Sequence, residues 1–342
     1  MKLAELNYSP EQISKALSYK RLGGPCLISI CGAGETLAQK EVIDIVYHLL
    51  KEGHCVNITT NGTLSNRFDE LVDKCKNYIS HLHISFSLHY FELVRLNLLD
   101  TFFDNITKLR EVGASVLLQM NLCDEYISAI DEIKKVSIER TGAFPQVALT
   151  RNMRTHPISI QSNLSDNEYF LEGEKFDSPL FRFTFKNFNV KRKEFCYAGD
   201  WSGVLDLQTG IFKRCYNDHN GVNIFENIDE PILFQAIGNN CKSEYCINSS
   251  HFMSLGVIPT LDTPSYAELR NRVCVDGSEW LSPTMKSFLS SKLCESNEEY
   301  TRKQKREINR QYETPITIKT KAYIKNALPK GLIEKYDQIK SK

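Results

Sequence analysis

His81-Leu82-His83-Ile84-Ser85-Phe86-Ser87-Leu88 alternates without a break. In an extended strand Leu82, Ile84, Phe86 and Leu88 fall on one face, and His81, His83, Ser85, Ser87 and the following His89 on the other. Parallel strands buried on both faces usually read as continuous apolar runs. This one does not, so one face meets a core and the other meets something polar. Residues 26–31, 55–60, 115–121 and 146–150 also read as strands, and the five centres fall near 28, 58, 85, 118 and 148. Helical stretches lie between them, at residues 38–51, 66–77, 100–111 and 125–140. A further helix is predicted over 10–19, where Ser9 can cap, Pro10 fits the first position and Gln12 can close a capping box. Strands and helices alternating at this spacing mean an α/β fold with a parallel sheet and right-handed crossovers.

The polar face recurs in the neighbouring strands. Asn57, Thr59 and Asn61 share one face of the second strand. Leu117, Gln119 and Asn121 share one in the fourth, with the polar pair near the C-terminal end. A closed or half-closed barrel explains this, with helices outside and a polar ligand inside. A doubly wound open sheet with polar strand ends is the alternative. Phe181, Phe183 and Phe185 alternate as well, and are expected to form a further strand that packs in the core.

Composition excludes several classes. The 342 residues carry 42 Lys plus Arg and 42 Asp plus Glu, a net charge of zero, which disfavours a general nucleic-acid or membrane-surface binder. No apolar run is long enough for a membrane span, and the first residues lack the apolar core of an export signal. A cytoplasmic location is therefore expected. There the eleven cysteines are more often metal ligands or redox groups than disulfides. Cys26, Cys55, Cys75 and Cys123 sit in apolar patterns and read as small buried hydrophobes.

Cys31-Gly32-Ala33-Gly34-Glu35-Thr36-Leu37 follows the first strand directly. Its two glycines let a ligand approach the backbone, and Glu35 places a carboxylate at the strand's C-terminal end, where it could hold an ammonium group. A strand, then G-x-G-E-x-L, a helix, a second strand and Thr59-Thr60-Asn61-Gly62-Thr63-Leu64 resembles the radical S-adenosylmethionine superfamily over about residues 20–150. The resemblance implies a partial (β/α) barrel lacking its first strand. It implies that Gly32, Ala33, Gly34 and Glu35 bind the methionine amino group of S-adenosylmethionine. It places Thr59 and Asn61 at the next strand end, and Ser85, Ser87, Gln119 and Asn121 near ribose, carboxylate or adenine.

The C-terminal half adds its own pattern. Cys196-Tyr197-Ala198-Gly199 opens it; thirteen residues separate Cys196 from Gly210, and four separate Gly210 from Cys215. Residues 203–207 and 211–215 flank Gln208-Thr209-Gly210 and predict a hairpin. Cys241 and Cys246 come next. This is similar to the SPASM or twitch extension of the same superfamily, a small cysteine-rich α+β unit holding an auxiliary [4Fe–4S] cluster. Cys196, Cys215, Cys241 and Cys246 are the implied ligands. Four thiolates also suit zinc, which spacing does not exclude. Cys274 and Cys294 lie further on, and His219 and His251 are nearby alternates. The expected organisation is a partial barrel over 1–190, the cysteine-rich unit over 191–295 and a basic helical tail over 296–342. Residues 301–342 carry twelve Lys or Arg against four Asp or Glu, a net of +8, which reads as a solvated face or as a hold on an acidic peptide.

One family element is missing. No C-x-x-x-C-x-x-C occurs anywhere in the sequence, and Cys26 and Cys31 cannot replace it. In the family that loop precedes the first helix, so the chain is expected to begin just after it. Either Met1 is an internal methionine of a longer enzyme, which the intact downstream motifs favour, or the cluster is lost and the cofactor shelf serves another use. Without its first strand the barrel leaves the edge at 26–31 unpaired, which predicts poor solubility. The expected function is a radical S-adenosylmethionine iron–sulfur oxidoreductase or peptide-modifying enzyme, inactive as this chain, with a peptide or protein as a possible substrate. The alternative is a non-catalytic binding module with a zinc-stapled C-terminal unit.

Overall fold

The structure is a computed structural model that describes residues 5–155, 157–243, 245–247 and 249–311. Five parallel strands form its centre: β1 (Leu27–Ile30), β2 (Cys55–Thr60), β3 (Leu82–Ser87), β4 (Ser115–Leu122) and β5 (Gln146–Leu149). They pair in the order β1-β2-β3-β4-β5, so the sheet grows outward one βα unit at a time. β1 and β5 are its edges and the barrel does not close. The expected α/β architecture is present as this open, partial arc.

Helices α1 (Pro10–Ala16), α2 (Tyr19–Leu22), α3 (Val42–Lys51), α4 (Ser65–Cys75), α5 (Tyr90–Arg95), α6 (Leu99–Glu111) and α7 (Ile130–Thr141) accompany the strands. Their apolar stripes face the sheet; in α3, Val42, Ile43, Ile45, Val46, Leu49 and Leu50 are all buried. At α1 both halves of the capping box form, with Ser9 receiving Gln12 N–H and the Gln12 side chain receiving Ser9 N–H. On the same side of the sheet Leu82, Ile84 and Phe86 are fully buried. Two predicted helices are preceded by a 3₁₀ turn, at Thr36–Ala38 and Asp124–Ala129.

After β5 a two-stranded ribbon pairs β6 (Arg151–Asn152) with β7 (Ser159–Ile160), and α8 (Asp166–Glu174) and α9 (Pro179–Asn187) follow. Here the sequence expectation fails, because Phe181, Phe183 and Phe185 lie on α9 and not on a strand. The start chemistry decides it. Ser178 caps α9 by accepting Phe181 N–H at 3.2 Å, and Pro179 occupies the first position. Phe181 and Phe185, four apart, then share a helix face and pack with Phe170. The Ser178 hydroxyl also accepts Val147 N–H at 2.9 Å and donates to Gln146 Oε1 at 2.7 Å, which docks the helix on β5.

The rest of the chain forms the predicted hairpin and a set of short helices. β8 (Val204–Leu205) and β9 (Ile211–Lys213) pair antiparallel, and β10 (Gly221–Asn223) joins β9. A π-helical turn at Ser249–Met253, α10 (Tyr266–Arg270), α11 (Pro283–Ser290), α12 (Leu293–Ser296) and α13 (Arg302–Gln311) follow. Leu180, Phe183, Ala198, Phe252, Met253, Val257, Ile258 and Leu269 form a second core under this half. The chain then returns to the sheet. Trp280 is 1% exposed, accepts Val116 N–H at 3.0 Å and donates from Nε1 to Thr141 O at 3.1 Å. The basic tail is helical over α13; residues 312–342 lie outside the described residues. No helix among the described residues is long and apolar enough to cross a membrane.

Candidate functional site

The parallel register lines up the polar positions. Ser29 stands beside Asn57, Thr59 beside Ser85, and Ser87 beside Gln119. Because side chains alternate, this puts one row of polar groups on the face opposite the helix-packed core. The row is bonded across strands: Asn57 Nδ2 donates to Ser29 Oγ at 2.8 Å, and Ser85 Oγ donates to Asn57 Oδ1 at 2.9 Å. The C-terminal half covers this face. Tyr216, His251, Tyr266 and Arg270 come down on it and close a cavity of about 200 Å³ with Ser29, Cys31, Asn57, Thr59, Ser85, Phe86, Ser87 and Gln119. That is smaller than the several hundred Å³ usual for a ligand pocket, so a nucleoside-sized molecule would extend over the rim.

Of the ten residues expected to bind a cofactor, Thr59, Ser85, Ser87 and Gln119 line this cavity. Gly32, Ala33 and Gly34 are exposed and continue from Cys31 at its edge. Glu35 is half-buried, and its carboxylate holds its own chain together. Oε1 accepts Leu37 N–H at 2.9 Å and Thr60 Oγ1–H at 2.7 Å, and Oε2 accepts Asn61 N–H at 2.7 Å. A carboxylate has about four acceptor positions, so one is left for a ligand. Asn61 spends its side-chain oxygen on Thr63, at 3.2 Å from N and 2.8 Å from Oγ1. Asn121 is exposed, outside the cavity lining. The sequence signal missed the lid. Tyr216, Tyr266 and Arg270 reach the site by tertiary folding, which no local pattern encodes. Asn57 was legible from the strand alternation; Ser29, on the short first strand, was not singled out.

Among the described residues, Arg270 is the one charged residue in the lining. Its Nη1 donates to Gln119 Oε1 at 2.6 Å and its Nη2 to Ser250 O at 3.1 Å, while Nε is buried with no partner. Beneath it, His83 is fully buried and neither ring nitrogen has a partner. Burial, then the Arg270 charge, pushes the His83 imidazole down to about 3 and His251 down to about 3, so both are neutral at physiological pH.

The cysteines form a second locus beside the cavity. Cys196-Tyr197-Ala198-Gly199 is laced to residues 235–238, with Cys196 N–H on Gly238 O at 3.1 Å and Ile237 N–H on Ala198 O at 2.9 Å. Gly199 sits at φ +98°, and a Cβ there would stand 2.3 Å from Gln235 O. Gly210 sits at φ +76° in the hairpin turn, facing Asn223, Phe225 and Tyr8. Both motif glycines are thus demanded by backbone geometry. Burial pushes the Cys196 thiol up to about 12, and the nearby Cys246, Cys215 and Cys241 add to it. Asn217 donates to Ser243, which ties the Cys215 turn to the loop carrying Cys241 and Cys246. Among the described residues no three Cys, His, Asp or Glu side chains stand close enough to share a metal ion. The four sulfurs are therefore neighbours with the donor chemistry for an iron–sulfur cluster or zinc, not a closed ligand cage. Tyr216 connects the two loci. It follows Cys215 and lines the cavity, and burial raises its phenol pKa, with Cys31, Cys215 and Tyr266 contributing. Of the cysteines read as hydrophobes, Cys55 and Cys75 are fully buried and Cys26 and Cys123 partly so.

No known family model matches the sequence, and no curated protein matches it. Solved structures of Streptococcus suis SuiB are similar in fold. SuiB bound to S-adenosylmethionine aligns at 14% identity and TM-score 0.45, over 67% of this chain and 59% of that one. SuiB bound to precursor peptide SuiA aligns at 17% identity and TM-score 0.44, over 65% of this chain and 57% of that one. The chain thus spans less than two thirds of either SuiB chain, and a likeness at this level carries no function across.

Proposed function

We propose that this chain is the ligand-binding body of a radical S-adenosylmethionine-type iron–sulfur oxidoreductase that acts on a peptide or small-molecule substrate. The observation that carries the reading is Tyr216, which joins a four-cysteine group to a polar cavity at the strands' C-terminal ends. In a parallel sheet that end is where ligands bind. Thr59, Ser85, Ser87 and Gln119 would bind the cofactor's polar groups, and the remaining acceptor position of Glu35 its ammonium. Cys196, Cys215, Cys241 and Cys246 would hold the auxiliary cluster. When bound together, S-adenosylmethionine and a reduced iron–sulfur cluster would supply hydrogen-atom abstraction. The chain's own part is to orient the ligand on the Ser29–Asn57–Ser85 row, and to exclude water with the buried Tyr266. No residue of this sequence supplies the C-x-x-x-C-x-x-C thiolates that bind the cofactor-splitting cluster in that superfamily.

The test is iron and acid-labile sulfide per chain after anaerobic reconstitution. About four irons, lost in Cys196→Ser and Cys215→Ser, support an auxiliary cluster. Calorimetry with S-adenosylmethionine, compared with Ser85→Ala and Gln119→Ala, tests the cofactor site. Zinc bound without iron, and no S-adenosylmethionine binding, would replace this reading with a zinc-stapled binding module.

A further inference from the structure

A guanidinium drawn out of water needs an opposite charge or a full set of hydrogen bonds. Arg270 has neither. Its acceptors are the Gln119 amide and the Ser250 carbonyl, both neutral. The Tyr266 ring lies 4.8 Å from the guanidinium carbon and offers only a partial counter-charge. Two of its five N–H donors are used, and its buried Nε points to no acceptor. Among the described residues no Asp or Glu lines the cavity. The histidines beside it are neutral. Arg214, by contrast, pairs with Asp218 at 2.5 Å; half-buried Arg272 also has an unpartnered Nε, but it spends its other nitrogens on three backbone carbonyls.

We propose that the cavity is a carboxylate site, in which Arg270 binds the carboxylate of the substrate, carried on a small acid or on a single acidic side chain of a peptide. One cation with neutral neighbours suits a monoanion. A phosphate would call on more donors, and the nearest helix N-terminus is already closed, because the capping box of Ser265 and Glu268 occupies α10. About 200 Å³ admits a carboxylate on a short stem.

This carboxylate is not the one a cofactor would carry beside an ammonium held by Glu35. Glu35 is bonded to the end of β2, whereas Arg270 is bonded to Gln119 of β4. Two strands apart is about 10 Å. The nitrogen and carboxylate carbon of an α-amino acid are about 2.5 Å apart. That last step rests on the proposed function; the anion site rests on the cavity alone.

The test is nitrogen NMR of the arginine Nε–H groups in the full chain, with no metal or cofactor added. Sodium acetate is titrated against acetamide and against sodium chloride at equal ionic strength. The expected result is a saturable shift by acetate alone of the resonance that Arg270→Gln removes. Arg270→Lys, which keeps the charge, retains an acetate-dependent rise in Tm, and this separates lost binding from lost folding. A shift by acetate and by N-acetyl-glutamyl methylamide assigns the peptide source; a shift by acetate only assigns the small acid. No saturable shift, or an equal shift by acetamide or chloride, overturns the site. Loss of the acetate shift on adding S-adenosylmethionine overturns its separation from the cofactor.

Discussion

The Thr60 hydroxyl donates to Glu35 Oε1 at 2.7 Å, and this bond closes the loop after β1 onto the end of β2. Together with the bonds from Leu37 and Asn61, it makes Glu35 a clasp between two βα units before it is anything else. Hydrogen bonds to a charged group are each worth about 1.5–3 kcal/mol. Glu35→Gln removes the charge and one acceptor oxygen, and is expected to lower the unfolding free energy by about 2 kcal/mol. Thr60→Val is expected to cost about 1 kcal/mol. Urea unfolding of both singles and the double variant checks the pair, and additive losses would show that the clasp is not shared.

Two buried histidines make the fold acid-sensitive. His54 receives Cys26 N–H on Nδ1 at 3.1 Å and faces Leu17 O with Nε2 at 2.8 Å, an arrangement that suits the neutral ring. Burial lowers its pKa, as it lowers that of His83 to about 3. The unfolded chain binds these protons near pH 6.5 and the folded chain does not. Stability is therefore complete above pH 6.5 and falls as pH drops below it, by about 1.4 kcal/mol per pH unit for each histidine while the folded ring stays neutral. Denaturant midpoints at pH 7.5 and 5.5 test this. His83→Leu removes one titration and two unsatisfied nitrogens, so it is expected to flatten the acid loss at little cost at pH 7.5.

Much of the sheet was legible in the sequence, because period-two alternation and capping chemistry are local. Residues 55–60 match β2, and Ser9, Pro10 and Gln12 set the start of α1. The phenylalanines of α9 misled because residues at i, i+2 and i+4 satisfy a strand, while the first and last also satisfy a helix; Ser178 and Pro179 carried the decision. Half of the candidate site was legible for the same local reason. Ser85 and Gln119 follow from alternation, whereas Arg270 reaches Gln119 across 151 residues of sequence. That separation leaves no periodic trace. His83 was legible as a polar-face residue, but its complete burial follows only from the lid.

The cysteine half depends on one tight backbone approach. Gly199 N–H donates to Ser202 O at 2.6 Å and Gly199 O accepts Gln235 N–H at 3.1 Å, with the Arg214 stem packed against its α-carbon. Gly199→Ala adds a left-handed alanine, at about 1–2 kcal/mol, and a clash with backbone that cannot turn away. The expected loss exceeds 2 kcal/mol. Cys196 and Cys215 are anchored on either side of this point, so metal bound per chain is expected to fall as well. A variant that kept full stability and metal content would mean that residues 235–238 shift freely.

Trp280 binds the C-terminal half to the sheet. Its indole N–H occupies the Thr141 carbonyl at the end of α7, and its own carbonyl takes the Val116 N–H of β4. Two residues on, Ser282 N–H donates to Ser115 Oγ at 2.8 Å, which fixes α11 beside β4. The sheet and the lid over its polar face should therefore unfold as one unit. Unfolding followed by Trp fluorescence and by far-UV circular dichroism is expected to give coincident transitions. Trp280→Ala is expected to cost about 3–5 kcal/mol. Trp280→Phe removes only the indole donor, and the Thr141 carbonyl keeps Arg110 Nη1 at 2.9 Å, so the expected cost is about 1 kcal/mol. Two separated transitions in the unaltered chain would show that the lid folds independently of the sheet, and Arg270 would then be free to leave the cavity without global unfolding.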